Sequence, residues 1–153
     1  QTIARDEEIE IDALIEEVLA DLEPLAQEKD IRLTGKCDKV ILIGSDILIY
    51  RLVYNLVENA IKYNISGGTV TVTATQRDKH IYLAVEDTGN GIPEELKERI
   101  FEPFFRLDKS RSRALGGVGL GLALVHEIVR VHDGSIFVKD NANSGTTFEV
   151  IFS

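Results

Sequence analysis

The sequence predicts a two-layer α/β sandwich, a sheet with antiparallel neighbours backed by helices. Three observations predict it. Helical and strand periodicities are interleaved along the chain rather than segregated. Two strongly alternating runs, Thr69–Arg77 and His80–Asp87, are separated only by the tight Asp78-Lys79 connection and read as adjacent antiparallel strands. With 153 residues, 44% hydrophobic and 28% charged, the chain is too apolar for disorder and large enough for one compact domain. A domain of that size buries roughly 68–70% of its unfolded surface.

The elements follow in order. Glu7–Ile11 alternates and reads as a short strand. Asp12 can cap a helix running to about Lys29, with Leu14, Ile15, Val18, Leu19, Leu22, Leu25 and Ala26 on one face. Pro24 lies inside that pattern and predicts a kink or an early stop. Ile31–Leu33 and Val40–Ile43 read as strands on either side of the polar turn at Lys36–Lys39. Ser45 and Asp46 are N-cap candidates for a second helix over about 47–63, followed by Ile65-Ser66-Gly67-Gly68. After the two long strands comes Gly- and Pro-containing sequence to Pro93, then a short helix expected over Glu94–Ile100. Residues 106–117 lack periodicity and read as a mobile loop, whereas 119–132 are apolar with helical spacing. Ser135–Lys139 and Thr146–Phe152 are the last strands, hinged by residues 140–145.

Charge and composition exclude several functions. Acidic residues outnumber basic ones 26 to 17, for a net charge of −9. That opposes broad binding to nucleic acid or to an anionic membrane surface. The acidity is local: residues 1–30 hold 11 acidic and two basic side chains, so the remainder is neutral. One cysteine, Cys37, makes no intrachain disulfide and fits a reducing compartment. No run approaches 18 apolar residues, and the acidic start is unlike a signal peptide. The sequence has no methionine and reads as a fragment of something longer.

Three constellations carry chemistry. Asn55, Asn59 and Tyr63 recur every four residues on one face of the second helix, with Lys62 on its edge. A carboxamide oxygen suits Mg²⁺, which keeps waters and shares ligands with substrate phosphates. The same face also reads as solvated surface, with Lys62 pairing Glu58. Asp87-Thr-Gly89-Asn-Gly91-Ile-Pro93 directly follows a strand, so its carboxylate can accept from an exocyclic amine while glycine backbone approaches a flat ring; an ordinary Asp-Gly turn is the alternative. Gly116-Gly117-Val118-Gly119-Leu120-Gly121 opens a helix, either as an anion-binding N-terminus or as a flexible hinge.

Two familiar nucleotide motifs fail. Leu122-Ala123 stands where a P-loop needs Lys-Ser/Thr, and no glycines satisfy G-x-G-x-x-G. Between the second and third constellations lie Phe101-Glu-Pro-Phe104-Phe105-Arg106, then Lys109, Arg111 and Arg113. Residues 106–113 carry a net +3, which suits a polyphosphate lid.

The ordered set Asn55–Tyr63, Asp87–Gly91, Phe101–Arg106, Gly117–Leu122 and Gly145–Phe148 resembles the N box, first glycine box, F box, second glycine box and third glycine box of bacterial sensor histidine kinase ATP-binding domains. The resemblance spans nearly the whole chain. It implies the Bergerat-type fold, a mixed sheet backed by three helices with ATP between helices and lid. Position by position, Asn59 would be the Mg²⁺ ligand, with Asn55 supporting metal and phosphates. Lys62 would contact phosphate and Tyr63 would pack near adenine. Asp87 would accept from the adenine amino group, with Gly89, Gly91 and Ile92 beside the base. Arg106 would contact phosphate, and the backbone of Gly117, Val118, Gly119, Leu120 and Gly121 would wrap it. Val118 stands where the family often has Thr or Ser, which removes one hydroxyl. Phe101, Phe104 and Phe105 would seat the lid, and Gly145 and Thr146 would lie near the adenine end.

Relatives of this fold that hydrolyse ATP place a Glu one turn before the metal Asn. Asn55 occupies that position here and cannot act as a base, which favours transfer to a protein nucleophile. The family's phosphoacceptor His is followed by an acidic residue, a basic residue and Ser/Thr-Pro on a helical hairpin. This chain has only His80, His126 and His132, and His126-Glu127 is followed by Ile128-Val129. His126 and His132 are six apart, on different helix faces, so they make no zinc pair.

The expectation is a catalytic fragment that binds ATP and Mg²⁺ and phosphorylates a His on a separate dimerisation/phosphoacceptor domain, which then passes the group to a response regulator. The isolated domain is expected to be monomeric, to bind no nucleic acid, and to belong to the cytoplasmic part of a membrane-bound sensor. Two other readings stand beside it. One is an anti-sigma-type Ser kinase of the same fold, against which the F box and cationic lid speak. The other is a non-catalytic ATP-dependent regulatory module.

Overall fold

The computed structural model describes residues 7–103 and 122–153. The expected mobile loop at 106–117, Phe104, Phe105 and Gly117–Gly121 of the second glycine box therefore lie outside the described residues. Seven strands and three α-helices are described: β1 (Glu7–Glu10), α1 (Ile11–Glu28), β2 (Arg32–Cys37), β3 (Ile41–Gly44), α2 (Asp46–Lys62), β4 (Thr69–Arg77), β5 (His80–Asp87), α3 (Leu122–Val131), β6 (Ser135–Asp140) and β7 (Thr146–Phe152).

Five strands form one mixed sheet in the order β2-β4-β5-β7-β6. β2 runs parallel to β4 and every other pair is antiparallel. The alternation of β4 and β5 sends Val70, Val72, Ala74, Ile81, Leu83 and Val85 into the core. It leaves Thr69, Thr71, Thr73 and Thr75 half-buried on the open face, as a sheet covered on one side requires. The three helices cover the other face, α2 burying Leu52, Val53, Leu56, Val57 and Ile61 between the sheet and its helical neighbours.

Several local expectations differ from the structure. Proline 24 neither stops nor shortens α1, which continues to Glu28. Pro24 and Ala20, whose carbonyl loses its partner, are both exposed, so water can satisfy the orphaned oxygen. Helix α1 also begins without its expected Asp12 cap: Ile11 is buried at the first position and its N–H donates to the Val40 carbonyl at 2.9 Å. A tertiary bond therefore sets that boundary. β2 runs on to Cys37 because β4 offers it a full parallel ladder, and β3 pairs with β1 in a separate two-stranded sheet. The helix expected over 94–100 is two 3₁₀ turns, Glu94–Leu96 and Arg99–Phe101. Only Ile100 is buried there, so no apolar stripe supports a longer helix. Lys97 ties this segment to the end of β6 by bridging Glu94 at 2.8 Å and Asp140 at 2.9 Å.

The start of α2 is held from three sides. The Ser45 hydroxyl accepts from Leu48 N–H, the expected N-cap bond, at 3.4 Å. Glu7 of β1 accepts from Asp46 N–H at 2.8 Å, placing a carboxylate at the helix's positive end. His132, buried after α3, accepts the Ser45 N–H at Nε2 (3.1 Å), with Nδ1 2.8 Å from the Ile128 carbonyl. Those partners assign the proton to Nδ1. His132 is thus a structural joint between α2 and α3. His126 and His80 are exposed, the former against the Phe101 ring.

Candidate functional site

The site forms where β5, α2, α3 and the β6–β7 turn meet. The β5–β7 ladder ends at Glu86↔Thr147, whereas the β4–β5 ladder continues to Val70↔Asp87. Asp87 is therefore anchored on one side and open on the other. Its Oδ1 accepts two backbone N–H groups, from Gly89 at 2.8 Å and from Thr146 at 3.1 Å. Among the described residues no donor takes Oδ2. Burial pushes the carboxyl above its ordinary value, and the two backbone bonds pull in the opposite direction without cancelling that effect.

Glycine is required at two positions around this carboxylate. Gly91 has φ +76°, a left-handed conformation costly for other residues. A Cβ at Gly145 would overlap the main-chain carbonyl of Asp87, so the β6–β7 turn can close on β5 only with glycine there.

Asp87 borders a narrow cleft whose lining also includes Asn59, Ala60, Tyr63, Asn90, Gly91, Ile92, Leu122, Thr146 and Phe148. Of the residues singled out in the sequence, Asn59, Tyr63, Asp87, Gly91, Ile92 and Thr146 meet at this cleft, and Gly89 supplies an N–H to Asp87. Asn55 and Lys62 do not line it. Asn55 lies one turn earlier on α2, and Lys62 Nζ is 3.7 Å from Glu58 Oε2 in the i,i+4 pairing that the spacing allowed. Arg106, Gly117, Val118, Gly119, Leu120 and Gly121 lie outside the described residues.

The arrangement offers one open acceptor oxygen beside apolar walls from Ala60, Ile92, Leu122 and Phe148. It suits a flat, largely apolar ligand carrying an exocyclic donor. Among the described residues no three His, Cys, Asp or Glu side chains gather as a metal site. From α2, Asn59 brings a carboxamide oxygen to the cleft, a hard ligand that fits a divalent ion taking its other ligands from phosphates and water.

Sequence reasoning missed three residues that frame the site. Asn141 Nδ2 donates to the Asp87 carbonyl at 3.0 Å and to Thr147 Oγ1 at 3.3 Å, while its Oδ1 accepts from Asn143 N and Gly145 N. On the other side Thr88 Oγ1 accepts from Thr69 N and donates to Asn64 Oδ1. Asn64 Nδ2 in turn donates to the Thr69 carbonyl. The only signal for these was Asn in a turn, which marks the turn but not its long-range partner.

Comparisons with known proteins agree with this geometry. A family model described as histidine kinase-, DNA gyrase B- and HSP90-like ATPase matches residues 44–153. The chain is 39% identical over 142 residues to the sensor-like histidine kinase SenX3 of Mycobacterium tuberculosis, a match covering 92% of this chain and 35% of that protein. It is 44% identical over 96 residues to the signal transduction histidine-protein kinase ArlS of Staphylococcus aureus, covering 63% of this chain and 21% of ArlS. The chain thus spans about a third of the length of the SenX3 relatives. Among solved structures, the catalytic domain of histidine kinase ThkA superposes with TM-score 0.86 at 28% identity, covering 98% of this chain and 95% of that one. The mycobacterial sensor histidine kinase MprB superposes with TM-score 0.81 at 31% identity, covering 96% of each chain. The chain belongs to the histidine kinase-, DNA gyrase B- and HSP90-like ATPase family and, within it, to the ATP-binding catalytic domains of sensor histidine kinases.

Proposed function

We propose that this chain is an ATP-binding catalytic domain that holds ATP·Mg²⁺ and presents the γ-phosphoryl group to a His on a separate dimerisation/phosphoacceptor domain. The observation that carries the reading is the Asp87 carboxylate: Oδ1 is fixed by two backbone donors, and Oδ2 has no donor among the described residues beside an apolar cleft. Oδ2 accepts the adenine amino group, and Ile92, Phe148, Ala60 and Tyr63 surround the ring. Thr146 and Gly91 close the base end. Asn59 holds Mg²⁺ with Asn55 in support, and Lys62 exchanges Glu58 for a phosphate oxygen. Arg106 and the Gly117–Gly121 backbone complete the phosphate contacts.

ATP, when bound, supplies the phosphoryl group. The chain's own work is positioning and charge neutralisation, the dominant contributions in phosphoryl transfer. Asn55 removes the base that would activate water, so the group goes to a protein nucleophile instead. The partners are therefore the acceptor domain of the same kinase and, through it, a response regulator, in the cytoplasmic part of a sensor. Among the described residues no helix is long and apolar enough to cross a membrane.

Incubation with γ-labelled ATP and a separately supplied acceptor-His hairpin tests this function. Acid-labile label on the hairpin is expected. Acid-stable label on Ser, or no transfer despite tight ATP binding, would replace the reading with a Ser kinase or a regulatory module.

A further inference from the structure

We infer that Asn141 is the positioning residue that aims the open oxygen of Asp87, and through it sets the preference for a base bearing an exocyclic amine. The inference rests on the reading of Asp87 given under the proposed function. Asp87 lies beyond the β7 ladder, so strand pairing alone leaves its outer side unsupported. Asn141 supplies that support with both halves of one carboxamide. Its Nδ2 holds the Asp87 carbonyl at 3.0 Å, fixing the main chain from which the carboxylate projects. Its Oδ1 holds Gly145 N at 3.1 Å and Asn143 N at 2.9 Å, fixing the turn. The next residue, Thr146, is one of the two donors that orient the carboxylate, at 3.1 Å from Oδ1. One side chain thus determines where the Asp87 backbone sits and where a donor to its carboxylate sits. With Oδ1 committed, Oδ2 alone is left to meet the ligand.

No other standard side chain of this size combines the two functions. Aspartate keeps the acceptor that organises the turn but sets an oxygen against the Asp87 carbonyl in place of the donor. Asn141→Asp therefore separates a turn-forming role from a positioning role. Alanine removes both.

The test compares two probes on the 153-residue chain: ATP and purine riboside 5′-triphosphate, which differs from ATP only in lacking the 6-amino group. The parent is expected to bind ATP about tenfold or more tightly than the deaminated analogue, as a hydrogen bond to a charged acceptor implies. Asn141→Asp is expected to keep its Tm near the parent's and to lose most of that ratio, weakening ATP while sparing the analogue. If Asn141→Asp does not fold, Asn141→Ala, assayed below its own Tm, is expected to lose the ratio in the same way. A variant that binds both nucleotides less well but keeps the parent's ratio would show a merely structural Asn141 and overturn the inference, leaving the reading of Asp87 intact. A parent that does not distinguish the two nucleotides would overturn the reading of Asp87 and the role of Asn141 together.

Discussion

The two ends of the candidate site are built in opposite ways. At the base end, Asp87 is half-buried, and backbone N–H groups on both sides orient it before any ligand arrives. At the phosphate end, the described polar groups lie along α2, where Asn55 and Asn59 are half-buried and Lys62 is engaged by Glu58. The first arrangement is preorganised and rigid, so a small displacement there costs recognition. The second must exchange partners under the proposed function, in which Lys62 leaves Glu58 for a phosphate. In the proposed function, specificity for the ligand therefore resides at the base end, and charge handling at the α2 end.

The largest effect that would break this contrast is at Gly145. Gly145→Ala places a Cβ on the Asp87 carbonyl, which neither strand can yield without opening the turn. It is expected to destabilise the chain by about 1–3 kcal/mol in urea denaturation and to abolish nucleotide binding. Normal binding at normal stability would show that the turn is adaptable rather than rigid. Asn59→Ala comes next. It is expected to weaken ATP·Mg²⁺ binding by about tenfold and to leave metal-free ATP binding, measured in excess chelator, nearly unchanged. Equal losses with and without metal would remove Asn59 from the metal site.

pH separates the two ends further. Burial raises the Asp87 pKa above the ordinary aspartate value. For the ligand-free chain this means that Asp87 contributes stability while protonated, and that the contribution is lost as pH rises through its folded pKa. For the complex the direction reverses, because the ionised form accepts the amine. ATP affinity is expected to fall as pH is lowered through a window that opens above the ordinary aspartate range. Calorimetric affinities at successive pH values check this, with Asp87→Asn as the variant that should lack this component. Smallest is Glu58→Gln, which releases Lys62 from a partly exposed pair. Stability is expected to change by less than about 0.5 kcal/mol and ATP affinity to rise at most a few-fold.

The same contrast governs what the sequence could disclose. The long strands were legible because one face of the sheet is core and the other solvent, which writes period two into Thr69–Arg77 and His80–Asp87. Helix α2 was legible from its apolar stripe and its Ser45 cap. Elements fixed by distant partners were not. The parallel extension of β2 depends on β4, the start of α1 depends on Val40, and the pairing of β1 with β3 leaves no mark within either strand. The early stop that Pro24 allowed does not occur, because the cost of a lost hydrogen bond depends on whether water reaches the freed carbonyl, which spacing does not report.

For the site, Asp87 and Asn59 at the cleft were legible because their chemistry is unusual where they stand: a carboxylate at a strand end and a carboxamide on an amphipathic helix. The residues that hold them were not. Asn141 looks like any turn asparagine until the fold brings Asp87, 54 positions away, against its amide. His132 was set aside for zinc on its spacing from His126, and only the fold shows it joining the end of α3 to the cap of α2.

The most direct measurement is calorimetric titration of ATP·Mg²⁺ into the parent and into Asp87→Asn at neutral pH. Loss of the charged acceptor is expected to weaken binding by about 30-fold or more. The Tm of the ligand-free variant should be unchanged or slightly higher, because a partly desolvated charge is removed while its shape remains. An Asp87→Asn variant that folds and binds ATP·Mg²⁺ as tightly as the parent would contradict the assignment of base recognition to this end of the site.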